Sequence, residues 1–105
     1  MIAARLFKTA YGNTLEVTIQ SASGEAKDIS SFTGLTLIAD KPNSGTATRF
    51  TMTKKTDGTD GIATYTFHSG DVDAVGHWLC QIELVKSGVK VFTERFSIVV
   101  ESIIE

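Results

Sequence analysis

Apolar and polar side chains alternate along much of this sequence with a period of two, which is the pattern of a β-strand that buries one face. The clearest case follows the polar stretch 70–77, where every second residue is apolar: Trp78, Cys80, Ile82 and Leu84. Further strands are predicted at 15–19, 35–39, 49–53 and 62–67, with a last long strand through 91–100. Turn signals separate these segments about every ten residues. The pattern therefore predicts an all-β, immunoglobulin-like β-sandwich of about seven antiparallel strands, forming a single domain over 1–105.

Side-chain parity assigns a face to each predicted strand. Phe50 and Met52 share one side of their strand, and Ala63, Tyr65 and Phe67 share one side of theirs. In the last strand we expect two sets, Phe92, Phe96, Ile98 and Val100 on one face and Val91, Thr93, Arg95, Ser97 and Val99 on the other. The inward sets are the predicted core, with Trp78 among them.

Glycine, proline and aspartate mark the predicted reversals. A turn is expected at 40–45, which contains Pro42 and Gly45, and a polar break at 21–27. The stretch 54–61 carries two Asp-Gly steps, which is the strongest hairpin signal in the chain. Ser87-Gly88 predicts a tight hairpin before the last strand.

Charge and composition limit the classes of molecule that this chain is expected to bind. Ten Lys and Arg stand against twelve Asp and Glu, giving a net charge of −2, and the basic residues are scattered. Nucleic-acid binding needs a concentrated positive face, so we expect no nucleic-acid partner. Apolar runs such as 98–100 are far shorter than a membrane span, so no membrane partner is expected either. The single cysteine and the absence of a visible secretion signal favour synthesis in the cytoplasm.

Two segments contain metal-ligand residue types. His68 and His77 flank a glycine-containing corner that also carries Asp71 and Asp73, but the spacing matches no common metal motif. The segment 57–61 has some likeness to a calcium loop, yet it lacks the bidentate glutamate, so a hairpin turn explains it better. We predict no metal site.

Cys80 and the large aromatic residues have both a structural and a functional interpretation. A nucleophilic Cys80 would need a base, but His77 is an odd number of strand positions away and should face the opposite side. Trp78 either fills the core or, with Tyr11 and Tyr65, offers a stacking platform for sugars. Parity favours the core for Trp78 and Tyr65. The sequence therefore predicts no catalytic residue and no cofactor-binding residue.

Both ends of the chain are apolar. Ile2, Leu6, Phe7 and Tyr11 lie in the first eleven residues, and Ile103 and Ile104 lie in the last three. We interpret them as the first and last strands of the sandwich. The alternative is that an end docks on a neighbouring copy or on a partner sheet, since an unpaired edge offers free N–H and C=O groups.

The run from Asp28 to Val100 resembles the immunoglobulin-like N-terminal domain of phage baseplate upper proteins and related small domains of tailed-phage structural genes. The resemblance is carried by four pieces: the strand and turn at 35–42, the Asp-Gly hairpin and strand at 57–67, the corner Gly70-Asp71-Val72-Asp73-x-x-Gly76-x-Trp78, and the strand at 93–100. It covers about two thirds of the chain, and the corner is its most specific part. Gly76-x-Trp78-x-Cys80 is also similar to the tyrosine corner of immunoglobulin domains, with Trp in place of Tyr and without a partner cysteine.

The resemblance implies a virion structural module that helps to arrange a baseplate, tail or neck and performs no catalysis. Family members with a receptor-binding organelle continue beyond this domain, whereas this sequence ends at Glu105, which argues against a baseplate-scaffold role and leaves open a stand-alone decoration, neck or connector subunit. We expect a non-enzymatic structural protein located in the virion, without cofactor, whose partners are other virion proteins and further copies of itself. The alternative is a module that recognises cell-surface polysaccharide.

Overall fold

Strands account for all of the regular secondary structure in the described part of the chain, residues 2–20, 24–42 and 45–104 of a computed structural model. They are β1 Ile2–Phe7, β2 Thr14–Thr18, β3 Gly34–Asp40, β4 Thr48–Thr51, β5 Thr53–Lys54, β6 Ile62–Thr66, β7 Gly76–Lys86, β8 Val89–Phe92 and β9 Phe96–Glu101. The all-β prediction is confirmed. Parts of the predicted turn at 40–45 and of the break at 21–27 lie outside the described residues, as do the end residues 1 and 105. Within the described residues, no helix is long and apolar enough to cross a membrane.

Two sheets pack face to face. The larger sheet has the order β1-β9-β7-β3-β4, and β8 pairs with the end of β7. The smaller sheet has the order β2-β6-β5. Their inner faces form one apolar core, because the inward positions of every long strand are occupied by apolar residues. The predicted sandwich is therefore confirmed.

Strand β7 lies at the centre of the larger sheet. It pairs with β3 along one edge, and with β9 and then β8 along the other. Its alternate residues point into the core and are almost completely buried: Trp78, Cys80, Ile82 and Leu84. The period-two pattern read from the sequence thus corresponds to the best-buried strand of the structure.

Met52 marks the point where the chain passes from one sheet to the other. Up to Thr51 the chain pairs with β3 in the larger sheet, and from Thr53 it pairs with β6 in the smaller one. Met52 is buried between them, and its N–H donates to the carbonyl of Leu35 at 2.8 Å. The predicted strand 49–53 is therefore two short strands, β4 and β5, with Phe50 and Met52 both in the core as expected.

The last predicted strand is broken by an irregularity at 93–95. Glu83 pairs with Phe92, and Cys80 pairs with Phe96, so three steps along β7 correspond to four steps from β8 to β9. The segment between β8 and β9 therefore carries one extra residue. An extra residue reverses the faces of the side chains on either side of it. Phe92 is consequently half exposed, and Val91 packs against the core. The expectation that Phe92 shares a face with Phe96 is wrong for this reason, whereas Phe96, Ile98 and Val100 are buried as predicted.

Strand β1 pairs with β9 in parallel, while the other strand pairs are antiparallel. Leu6 lies beside Val100 and is buried, whereas Phe7 lies beside Glu101 and is half exposed. The apolar N-terminal segment therefore forms the first strand, which pairs with the last strand, β9, at one edge of the larger sheet. Strand β9 ends at Glu101, so Ile103 and Ile104 lie beyond the last strand and are exposed.

Burial of Trp78 gives a direct test of this core. Its side chain is the largest among the fully buried ones, so Trp78→Ala should lower the free energy of unfolding by about 3–5 kcal/mol. Tyr11→Ala is the matched control: Tyr11 is 66% exposed, and we expect a change within about 0.5 kcal/mol. Chemical denaturation of the three proteins measures both values. Equal stability of Trp78→Ala and wild type would place Trp78 outside the core.

Candidate functional site

The corner, residues 70–76, joins the smaller sheet to β7 and is held by the carboxylate of Asp71. One oxygen of Asp71 accepts hydrogen bonds from the Tyr65 hydroxyl at 2.6 Å and from the backbone N–H of His68 at 2.8 Å. The N–H of Asp71 donates in turn to the carbonyl of His68 at 3.0 Å. A short loop therefore closes on itself and is tied to β6 through Tyr65.

These contacts shift the pKa values of both side chains. Burial and the hydrogen bond to Asp71 raise the pKa of Tyr65 well above its ordinary value. Burial alone would raise the pKa of Asp71, but the hydrogen bonds from Tyr65 and from the His68 N–H outweigh it and hold that pKa below its usual value. Asp71 is therefore ionised at neutral pH and acts as an acceptor in the corner, while Tyr65 stays neutral.

Lys41 connects the corner to the end of β3. Its ammonium donates to the carbonyl of Asp71 at 3.2 Å and pairs with the Asp73 carboxylate at 2.8 Å. It also lies 4.7 Å from the centroid of the Trp78 ring and 5.6 Å from that of Phe50. Cation–π contact with two rings and a largely buried side chain make Lys41 a structural residue that covers one end of the core.

The two histidines do not converge on a metal site. His68 lies just before the corner, with Nδ1 3.2 Å from the Tyr65 hydroxyl and 3.6 Å from Asp71. His77 lies on the exposed face of β7, beside Val99. In the described ranges, no group of three or more His, Cys, Asp or Glu residues is arranged to hold a metal ion.

Both aspartates of the Asp-Gly segment bind their own loop. Asp57 accepts from the N–H and hydroxyl of Thr59, at 3.0 and 2.7 Å, and Asp60 accepts from the N–H of Ile62 at 3.0 Å. The Thr59 contacts lower the pKa of Asp57. The carboxylates are thus engaged in turn geometry, and the segment joins β5 to β6 as the hairpin reading predicted.

Cys80 and Trp78 both belong to the core. The Cys80 side chain is 1% exposed, burial raises the pKa of its thiol to about 12, and His77 is on the opposite face of the sheet. Such a thiol is protonated and shielded, which does not suit a nucleophile. Trp78 is 0% exposed and its Nε1–H donates to the carbonyl of Ala74 at 2.9 Å, so its ring is not available to stack on a sugar. Of the three proposed platforms, only Tyr11 is largely exposed.

The outer face of the larger sheet carries apolar side chains that are not part of the core. Three half-exposed side chains lie on it: Phe7 on β1, Leu79 on β7 and Phe92 on β8. Val75, in the loop just before β7, is also half exposed. Val99, in β9, is buried on this same face outside the core cluster, between Arg5 and His77. The parity rule did not flag Leu79, because it follows Trp78 directly, and it misplaced Phe92.

Charged side chains surround these apolar residues. Arg49 reaches Glu83 at 3.4 Å and Arg5 reaches Glu101 at 3.8 Å, both across the outer face. A shallow depression of about 270 Å³ lies between β3, β7 and the irregular segment 93–95, and its lining includes Ile38, Leu79 and Arg95. An apolar surface with a charged rim is the usual composition of a protein-binding surface. The outer face is accordingly the candidate functional site.

The role of Asp71 predicts a pH-dependent difference between two variants. Asp71→Ala removes both hydrogen bonds and should cost about 1–3 kcal/mol at pH 7, whereas Asp71→Asn keeps an acceptor and should cost less. Because the folded pKa of Asp71 lies below its unfolded value, its contribution is complete above about pH 5 and is lost as pH falls through the folded pKa.

Denaturation of wild type and Asp71→Ala from pH 7 to about pH 2.5 measures the difference in their unfolding free energies. We expect that difference to shrink below about pH 4. A difference that stays constant or grows on acidification would show that the carboxylate does not stabilise the corner.

The chain matches no protein-family model, and no curated protein is detectably similar to it. The geometry therefore has to be interpreted from the chain itself: polar groups of the corner and the Asp-Gly hairpin hold loops together, and the outer face offers apolar surface rimmed by charge.

Proposed function

We propose that this chain is a non-enzymatic structural protein of a tailed phage or phage-derived particle, located in a baseplate, tail, neck or head decoration. It assembles through the outer face and open edges of its larger sheet with other virion proteins and with further copies of itself. The observation that carries the proposal is the group of exposed apolar side chains on the outer face, Phe7, Leu79 and Phe92. The resemblance of the corner and its flanking strands to phage baseplate domains supplies the biological setting.

The way the polar residues are used supports an assembly role. Asp71, Lys41 and the Asp-Gly aspartates all make hydrogen bonds that fix the loops. In the described ranges, every buried side-chain nitrogen or oxygen atom has a hydrogen-bond partner. Such a module presents a rigid surface, and association then depends on how well that surface matches its partner.

Particle composition is the first test of the proposal. Particles purified by density gradient from cultures that carry the gene should contain this chain, detected by mass spectrometry as a stoichiometric component. Its absence from purified particles would contradict the proposal.

A pair of variants tests whether the outer face is the surface used. Leu79→Glu puts a charge in the middle of that face and should lower incorporation into particles by about tenfold or more, equivalent to about 1.4 kcal/mol. Thr18→Glu adds the same charge on an exposed position of the smaller sheet and should leave incorporation unchanged. Both variants should unfold within about 1 kcal/mol of wild type. Equal incorporation of the two variants would mean that the outer face is not the contact.

Recognition of a cell-surface polysaccharide is the alternative function. It is favoured by Tyr11, which is 66% exposed in the segment between β1 and β2 and is free to stack on a sugar ring. A glycan array separates the two functions: binding that Tyr11→Ala abolishes would support the alternative, and no binding at high protein concentration would dispose of it.

A further inference from the structure

Strand β1 lies at an edge of the larger sheet. It pairs along one edge only, in parallel with β9, and the register slips between Ile2 and Ala4. Leu6 is buried, Ala4 packs partly against the core, and Arg5 and Phe7 are exposed. Among the residues of β1 whose side chains the structure describes, 4–7, Leu6 is the buried one. One row of backbone hydrogen bonds joins the strand to the sheet, and such a row is weaker per residue in a parallel pair.

The turn after β1 holds an unfavourable backbone conformation. The N–H of Ala10 donates to the carbonyl of Phe7 at 3.0 Å, which closes a four-residue turn with Thr9 in its third position. Thr9 has φ of +75°, and it is the one non-glycine residue with positive φ in the part of the chain that the structure describes. Positive φ is unfavourable for a β-branched residue, and turns of this kind normally place glycine or asparagine there. The turn that folds β1 back onto its own domain thus stores strain.

Strain in a hinge is relieved when the hinge opens, provided that the strand finds an equivalent site elsewhere. A second copy of the chain supplies that site. Its β9 edge would accept β1 in the same register, with Leu6 entering the core beside Val100 and Arg5 reaching Glu101. All contacts of β1 are recovered in that exchange, and the constraint on Thr9 is released.

We propose that two copies of this chain exchange β1, so that β1 of each copy pairs with β9 of the other and the turn Phe7–Ala10 opens. The inference rests on the proposed function, in which copies of the chain are among the partners, and it identifies the β1–β9 edge as the contact between them. It is independent of the outer-face contact tested by Leu79→Glu.

Cross-linking between introduced thiols distinguishes exchange from other contacts. Phe7 and Glu101 are neighbours in the β1–β9 register, so the double variant Phe7→Cys/Glu101→Cys places two thiols side by side. Cys80 is buried and does not compete. The variant is unfolded in guanidinium, refolded over a hundredfold range of concentration, separated by size and treated with a short bis-maleimide. We expect a dimer fraction that grows with concentration and in which the cross-link joins two chains.

The variant Thr9→Gly tests whether the positive φ of Thr9 drives the exchange. Glycine accepts positive φ, so the closed turn loses its strain and the dimer fraction at a fixed concentration should fall by at least about fivefold. Ser69→Gly is the control, because Ser69 is exposed in a turn without positive φ, and it should leave the dimer fraction unchanged. Circular dichroism of each variant confirms that it is folded.

Each result decides the inference. Monomers at every concentration, cross-links confined to single chains, or a dimer fraction that Thr9→Gly does not lower would overturn it. The particle measurement separates this inference from the proposed function: a chain present in particles without exchanged strands removes only the exchange, and an exchanged dimer absent from particles removes only the virion role.

Discussion

The pairing of β7 on both of its edges is the constraint on which the rest of the structure depends. This strand is the longest of the described ones, and it holds β3 on one side and β9 and β8 on the other. Its inward side chains Trp78, Cys80, Ile82 and Leu84 are the centre of the core that the smaller sheet covers. Because every strand of the larger sheet is placed directly or through one neighbour by β7, a shift of its register would move the apolar face of the whole sheet.

Polar residues complete this arrangement at the ends of the sandwich, where strands stop and loops must be closed. Lys41 covers Trp78 and binds the corner, Asp71 fixes the corner to Tyr65, and the Asp-Gly aspartates order the hairpin between β5 and β6. Gly61 in that hairpin has φ of +74° and a Cβ there would lie 2.6 Å from the carbonyl oxygen of Lys27, so the turn packs tightly on the segment 27–30. Because they are charged, these residues resemble catalytic or metal-binding residues in the sequence, but each one binds a nearby group of the same domain.

The exposed apolar side chains of the outer face differ from these polar residues, because they have no such structural role inside the domain. The outer face combines Leu79, Phe92 and Phe7 with the ion pairs of Arg49 and Arg5, and none of these side chains is needed to complete the core cluster. The strand exchange that we propose would add a second mode of contact, through the backbone pairing of β1 and its buried Leu6. Both features suit a protein that acts by association.

The sequence predicted the elements whose pattern is local. Alternation identified β7, β3, β6 and the core position of Trp78, and glycine with aspartate identified the hairpins, because these signals are contained in a few consecutive residues. The parity of the last strand failed at Phe92, since one extra residue at 93–95 reverses the faces without any compositional sign. The parallel pairing of β1 with β9, the crossing at Met52 and the position of Lys41 over Trp78 join residues far apart in the chain, and a single sequence does not specify such pairs.

Strands β7 and β1 should differ in the free energy needed to open them. Amides in β7 between Trp78 and Leu84 are paired on a central strand, so they should exchange with solvent only through global unfolding. Amides of β1 should exchange through a local opening of lower free energy, because that strand pairs along one edge only. Native-state hydrogen exchange, resolved by residue, measures both. We expect the slowest exchange in β7 and clearly faster exchange in β1. Amides of β1 that exchange as slowly as those of β7, or local opening of β7, would show that β7 is not the strand on which the fold depends.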